Sequence, residues 1–122
     1  MKAMIWDFNG VIIDDEHIHR VAFDRVFSQL GLRLTEAEYF ERYLGLSDWT
    51  MFRRSLTDKR GSAPAQDEVD ALVKTKGDVY LELIADGFEL IDGAPELVRA
   101  VAAHVPMAVN SGARRVEVET IL

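Results

Sequence analysis

Apolar residues change their spacing several times along the chain, and the changes mark out its elements. Ala3-Met4-Ile5-Trp6 is a continuous apolar run that stops at Asp7. Such a run predicts a short strand buried on both faces, as in a parallel α/β sheet. Gly10 interrupts the chain, Val11-Ile12-Ile13 follow, and Asp14-Asp15-Glu16 close the segment. From Glu16 the spacing becomes helical: Ile18, Val21, Ala22, Val26, Phe27 and Leu30 recur at three- and four-residue steps up to Gly31. Thr35 with Glu38 three residues on forms a capping box that opens a second helix ending near Gly45. A third helix is predicted over 49–56. Gly61, Ser62 and Pro64 mark a loop within 59–66, and a fourth helix over 67–86 is stopped by Gly87.

The pattern then changes. Asp92-Gly93-Ala94-Pro95 turns the chain into a helix to about Ala103, with Pro95 near its start, where a missing donor costs little. Val105 to Val109 is a second apolar strand, Asn110-Ser111-Gly112 is its exit, and a last helix runs over 114–122. Strand, four helices, then helix, strand, helix is an α/β order. The two strands can be neighbours in one parallel sheet, with the intervening helices inserted above the strands' carboxyl ends. There is no internal repeat and no low-complexity segment.

At 122 residues the chain suits one compact domain. Its net charge of −7 argues against a general role on nucleic acid or an anionic membrane, since both need a basic face. The absence of cysteine removes disulfides, thiolate catalysis and cysteine-ligated metal centres, and fits a cytoplasmic protein. The N-terminal apolar run is too short for a signal peptide, and no stretch approaches the roughly 18 apolar residues of a membrane span.

The chemistry concentrates in Trp6-Asp7-Phe8-Asn9-Gly10-Val11-Ile12-Ile13-Asp14-Asp15-Glu16. A carboxylate directly after a buried strand is costly unless it has partners or a task. In open α/β sheets, ligands collect outside the strands' carboxyl ends, where Asp7 falls. Gly10 lets the backbone pass close to a ligand and present its amide. Taken alone, Asp7 reads more readily as a strand-end carboxylate capping a turn, and Ser111 as a loop hydroxyl.

These residues resemble the first motif of the haloacid dehalogenase superfamily, Asp-x-Asp-Gly-Thr/Val after a buried strand, here Asp7-Phe8-Asn9-Gly10-Val11. Ala108-Val109-Asn110-Ser111-Gly112-Ala113-Arg114 resembles its second motif, a Ser or Thr ending the next core strand. The continuation to Glu16 and His19 is similar to the subgroup of β-phosphoglucomutase and small sugar-phosphate phosphatases. The resemblance covers essentially the whole chain. It implies a Rossmann-like core, partial in this chain, with an all-helical cap after the first strand. The divisions are 1–14 (strand and nucleophile loop), 15–88 (cap) and 89–122 (core helix, second strand and the next helix).

The resemblance further implies that Asp7 attacks phosphorus and forms an aspartyl-phosphate, splitting one hard displacement into two easier ones. Mg²⁺ would bind the Asp7 carboxylate and the Asn9 carbonyl, hard oxygen ligands that suit it. Gly10, Ser111 and Gly112 would hold phosphoryl oxygens, and His19 would sit at the cap hinge. Arg114 is a candidate for the substrate entry. The partner implied is a small phosphorylated metabolite.

Three departures qualify this. Asn9 replaces a second Asp, the family's general acid and base, and an amide cannot exchange a proton at neutral pH. That help is typically worth ~10²–10⁴-fold. Asn9-Gly10 is also prone to deamidation, which predicts that a fraction becomes Asp on ageing. The third motif's Lys and the fourth's acidic ligands would fall beyond Leu122, so a fragment, a truncated chain or a natural remnant is expected. Asp48 stands in the cap loop where β-phosphoglucomutase has an Arg for a distal phosphate, and an acid would repel one. His17 reads as exposed, Asp14-Asp15-Glu16 as acids at a helix N-terminus, and Trp49, Arg53 and Arg54 as packing and solvated charge. The rival functions are a 2-haloacid dehalogenase, which uses the first Asp without Mg²⁺, and a non-catalytic or regulatory phosphate-binding module.

Overall fold

A computed structural model describes residues 2–122. Strand β1 (Met4–Trp6) ends at the loop that carries Asp7 to Ile12. Phe8 is fully buried, and its carbonyl accepts hydrogen bonds from the amides of Val11, Ile12 and Ile13 at 3.3, 2.8 and 3.2 Å. This tight turn needs Gly10 in the left-handed region, at φ +73°. The short strand β2 (Ile13–Asp14) leads into α1 (Glu16–Gln29).

The helical insert follows. The Thr35–Glu38 capping box forms with bonds of 3.1 and 3.0 Å, but the helix it opens differs from the one expected. Only Glu36–Glu38 (α2) is α-helical, and Tyr39–Tyr43 continues as a π-helical turn. The wider turn buries both tyrosine rings, and their hydroxyls reach Glu16 at 3.0 Å and Asp58 at 2.7 Å. Burial, with the Asp58 carboxylate beside it, pushes the Tyr43 phenol up to about 12. Helix α3 (Asp48–Arg60) starts one residue and ends four residues outside the predicted span, capped by Ser47 and closed by Gly61 at φ +77°. Helix α4 (Gln66–Ala85) crosses α1. Phe23 and Phe27 of α1, Phe52 of α3, and Val69 and Val73 of α4 form one apolar core, with Phe23 and Phe52 edge to face at 5.2 Å.

Strand β3 (Glu89–Leu90) then pairs antiparallel with β2, Ile13 opposite Leu90 and Asp14 opposite Glu89. This ribbon, which the sequence pattern did not reveal, ties the two ends of the insert together. Helix α5 (Ala94–Ala102), with Pro95 in its first turn, leads to β4 (Met107–Val109), and α6 (Arg115–Ile121) follows. Strands β1 and β4 are parallel neighbours, in register Met4–Met107, Ile5–Ala108 and Trp6–Val109. The α/β order and the adjacency of the two strands are as predicted.

The burial of β1 is not. Ile5 is 67% exposed and Val109 38% exposed, because among the described residues these strands pair only with each other. No described helix is long and apolar enough to cross a membrane.

Candidate active site

The parallel pairing of β1 and β4 delivers both strand exits to one place. The Asn110 amide donates to the Trp6 carbonyl at 2.8 Å, so the Asp7 loop and the Ser111 loop leave the sheet side by side. The Ser111 hydroxyl donates to Asn9 Oδ1 at 3.4 Å and accepts from the Ala113 amide at 3.0 Å. The Asp7 carboxylate is solvent-exposed, and its Oδ1 accepts from the Phe8 amide at 2.7 Å. Asp7, Asn9, His19 and Gly112 line a cavity of about 190 Å³, roofed by Tyr39 and by Ser47 and Asp48 of the insert. A shallower opening on the sheet side is lined by Asp7, Ser111 and Gly112.

Two predicted residues stand elsewhere. The Gly10 amide donates to the Ile13 carbonyl at 2.8 Å and is committed to the turn rather than offered to a ligand. The same bond ties down the nitrogen whose attack on the Asn9 side chain would begin deamidation. Arg114 turns to α4, its guanidinium filling the space a Cβ on Gly77 would need, and its backbone amide donates to Glu117 Oε2 at 3.0 Å.

Behind the cavity lies a polar network that sequence reasoning missed. Asp15 stands at the N-terminus of α1, as the sequence predicts, and its carboxylate is fully buried. It accepts from Asn9 Nδ2 at 3.1 and 2.9 Å, from His19 Nε2 at 3.0 Å and from the Tyr80 hydroxyl at 2.5 Å. Lys76, also fully buried, donates to His19 Nδ1 at 2.6 Å and to both Asp48 oxygens at 3.0 Å. An ammonium on Nδ1 and a carboxylate on Nε2 fix the tautomer: Nδ1 accepts and Nε2 carries the hydrogen. The imidazole stacks on Tyr80 at 4.4 Å, and the Lys76 ammonium lies 4.5 Å above the Phe23 ring. Asp48 is therefore a paired carboxylate rather than a bare acid in the cap loop. Only the spacing of His19 from Asp15, one helical turn, was a sequence signal for any of this.

Burial works to raise the Asp15 carboxyl. It is outweighed by the hydrogen bonds from His19, Tyr80 and Asn9, which hold the group below its ordinary value of 3.8. A lowered folded-state value means that ionised Asp15 stabilises the fold above its unfolded value, and that this contribution fades as pH falls through the folded value. The stability gap between the parent chain and Asp15→Asn should therefore be widest at neutral pH and shrink below about pH 3.9. Urea titrations of both proteins from pH 7 to pH 3 check this. Burial raises the Glu117 carboxyl, with Lys76 opposing, so its ionisation works against the fold as pH rises.

The model of one protein family, described as haloacid dehalogenase-like hydrolase, matches residues 4–122. The chain belongs to that family. Protein CbbY of Rhodobacter capsulatus is 31% identical over 127 residues, covering 100% of this chain and 55% of that protein. An Asp-to-Asn mutant of CbbY from Rhodobacter sphaeroides, solved with xylulose-(1,5)bisphosphate, is 25% identical and matches with a TM-score of 0.78. That match covers 93% of this chain and 52% of the mutant. A family IA haloacid dehalogenase hydrolase of Entamoeba histolytica shares the fold with a TM-score of 0.79 at 19% identity, covering 99% of this chain and 53% of its own. The chain thus spans about half the length of these dehalogenase-like relatives.

Proposed function

We propose that the chain carries the phosphoryl-accepting half of a sugar-phosphate hydrolase site. The Asp7 carboxylate attacks the phosphorus of a small phosphorylated metabolite. The observation that carries this reading is the juxtaposition of Asp7, Asn9 and Ser111 at two neighbouring strand exits, with Asp7 and Asn9 in the roofed cavity and the Ser111 hydroxyl bonded to Asn9 beside it. CbbY of Rhodobacter sphaeroides, solved with phosphate in one crystal and with a sugar bisphosphate in another, supports the substrate class. Residues 15–88 act as a cap that excludes water when closed, and 1–14 with 89–122 as the core beneath it.

Asp7, Glu16 and Asp48 bring carboxylates to the cavity wall, and no Lys or Arg lines it. A phosphate dianion there needs a cation. Among the described residues no cluster of three His, Cys, Asp or Glu side chains forms a ready-made metal site. The Asp7 carboxylate and the Asn9 carbonyl nonetheless offer the hard oxygens that Mg²⁺ accepts alongside waters and substrate oxygens. Bound there, Mg²⁺ would neutralise charge on the transferring group. The Ser111 hydroxyl and the Gly112 backbone orient its oxygens. Asn9 donates no proton, so leaving groups that depart as stable anions are favoured. That same feature supports the second reading, a phosphate-binding module with slow turnover.

The test is phosphate release from acetyl phosphate and a panel of sugar phosphates, with and without Mg²⁺, run beside halide release from chloroacetate. The expected result is Mg²⁺-dependent phosphate release or tight phosphate binding, fastest with acetyl phosphate. Halide release without metal would replace this reading with the dehalogenase one.

A further inference from the structure

We infer that Asp48 determines which substrates the cavity accepts: its carboxylate occupies the place that an anionic group on the far end of a ligand would take beside Lys76. The cavity then suits a sugar with one phosphate and a hydroxylic far end, and rejects a second anion. This deepens the reading of Asp7 as the phosphoryl acceptor and rests on it.

Lys76 is a fully buried ammonium one layer behind the cavity wall. It does not line the cavity, but three residues that touch it do: Asp48, His19 and Phe23. Asp48 takes two bonds from the ammonium at 3.0 Å, His19 Nδ1 takes one at 2.6 Å, and the Phe23 ring centre lies 4.5 Å away. The Tyr80 ring closes another side at 5.4 Å. Phe23 belongs to the apolar core and His19 stacks on Tyr80, so both are fixed. Asp48 is therefore the wall residue whose carboxylate separates a buried cation from the ligand space.

Local structure holds Asp48 in that place. It is the first residue of α3, directly after Ser47, whose hydroxyl accepts from the Thr50 amide at 3.3 Å and caps the helix. Swinging the carboxylate away would leave the Lys76 charge buried and unpaired, which is costly. Seen from the cavity, the ion pair presents acceptor oxygens and no cation. Glu16 and Ser47 add oxygens to the same wall. Arg114, the other cation near the site, is seated over Gly77 of α4. A second phosphate would meet carboxylates without a counter-ion, and such like-charge encounters reject a ligand. A sugar hydroxyl instead donates to these oxygens. With a neutral side chain at position 48, Lys76 becomes an uncompensated cation behind a thinned wall, and an anion on the ligand gains a partner.

Calorimetric titration of the full chain in Mg²⁺ tests this with three six-carbon ligands: glucose 6-phosphate, glucose 1,6-bisphosphate, and 6-phosphogluconate, whose far end is a carboxylate. The parent should bind glucose 6-phosphate about 10²-fold more tightly than either of the other two. Asp48→Asn and Asp48→Ser should each abolish most of that preference. Combining Asp48→Asn with Lys76→Met should bring it back, because the cation responsible is gone. A lower melting temperature in a variant does not move this readout, which compares ligands on one protein. Equal affinity of the parent for all three ligands would overturn the inference. So would a preference that both Asp48 variants leave intact, since the ion pair would then be structural alone. A relaxed preference that persists without Lys76 would overturn the role given to that ammonium. Phosphorylation of the parent by acetyl phosphate, followed by mass spectrometry, separates the two readings. With Asp7 phosphorylated, failure of the titrations falls on Asp48 alone. With no ligand bound and no phosphoryl group taken, the reading of the cavity fails as well.

Discussion

Lys76→Ala should lower the stability of the chain by about 3–5 kcal/mol, the scale seen when one member of a buried ion pair is removed. All three ammonium hydrogens are engaged, two by Asp48 and one by His19, so no solvent replaces what is lost. The pair joins α4 to the start of α3, and His19 adds α1, so the variant loosens the insert at its meeting point with the Asp7 loop. Lys76→Met, which keeps most of the volume, should lose nearly as much, separating uncompensated charge from cavity formation. The check is a urea midpoint that falls at an unchanged slope. A loss under about 1 kcal/mol for both variants, the ordinary worth of an exposed pair, would mean that the cluster is open to water.

The second large effect falls on chemistry. Asp7→Asn should abolish phosphoryl acceptance, by up to about 10⁶-fold on the scale of nucleophile removal in other covalent enzymes. Its cost to stability should be small, because Asp7 is exposed and its one described hydrogen bond, to the Phe8 amide, can be kept by the Asn oxygen. Ser111→Ala removes a positioning hydroxyl rather than the attacking atom and should cost far less.

The parts of this architecture written in local pattern were legible beforehand. Helix α1 follows from its three- and four-residue apolar spacing, the bounds of α4 from the loop before it and the stop at Gly87, and the strand exits from Asp7 and from Asn110-Ser111-Gly112. The antiparallel pairing of Ile13-Asp14 with Glu89-Leu90 was not, because two-residue strands have no period to detect. The π-helical turn at Tyr39–Tyr43 was hidden because its tyrosines sit where an α-helix would also bury them. The exposure of Ile5 escaped because an apolar run reports what a strand can bury, not what covers it.

At the site, the resemblance pointed to Asp7, Asn9, Ser111 and Gly112; the structure sets Asp7, Asn9 and Gly112 in one cavity and Ser111 at the neighbouring opening. Asp15 stands at the helix start the pattern predicts, but its burial and its partners were not legible, and neither was the partner of Asp48. Lys76 lies 57 positions from the imidazole it touches, a separation at which one sequence carries no pairing signal. The Gly10 amide was assigned to a ligand because its bond to Ile13 depends on the turn itself.

The most direct measurement is peptide mapping by mass spectrometry after incubation with acetyl phosphate and Mg²⁺. The account predicts one added phosphoryl group on the peptide containing Asp7, released by hydroxylamine and missing from Asp7→Asn. A folded protein that takes no phosphoryl group, or carries it on another residue, would contradict it.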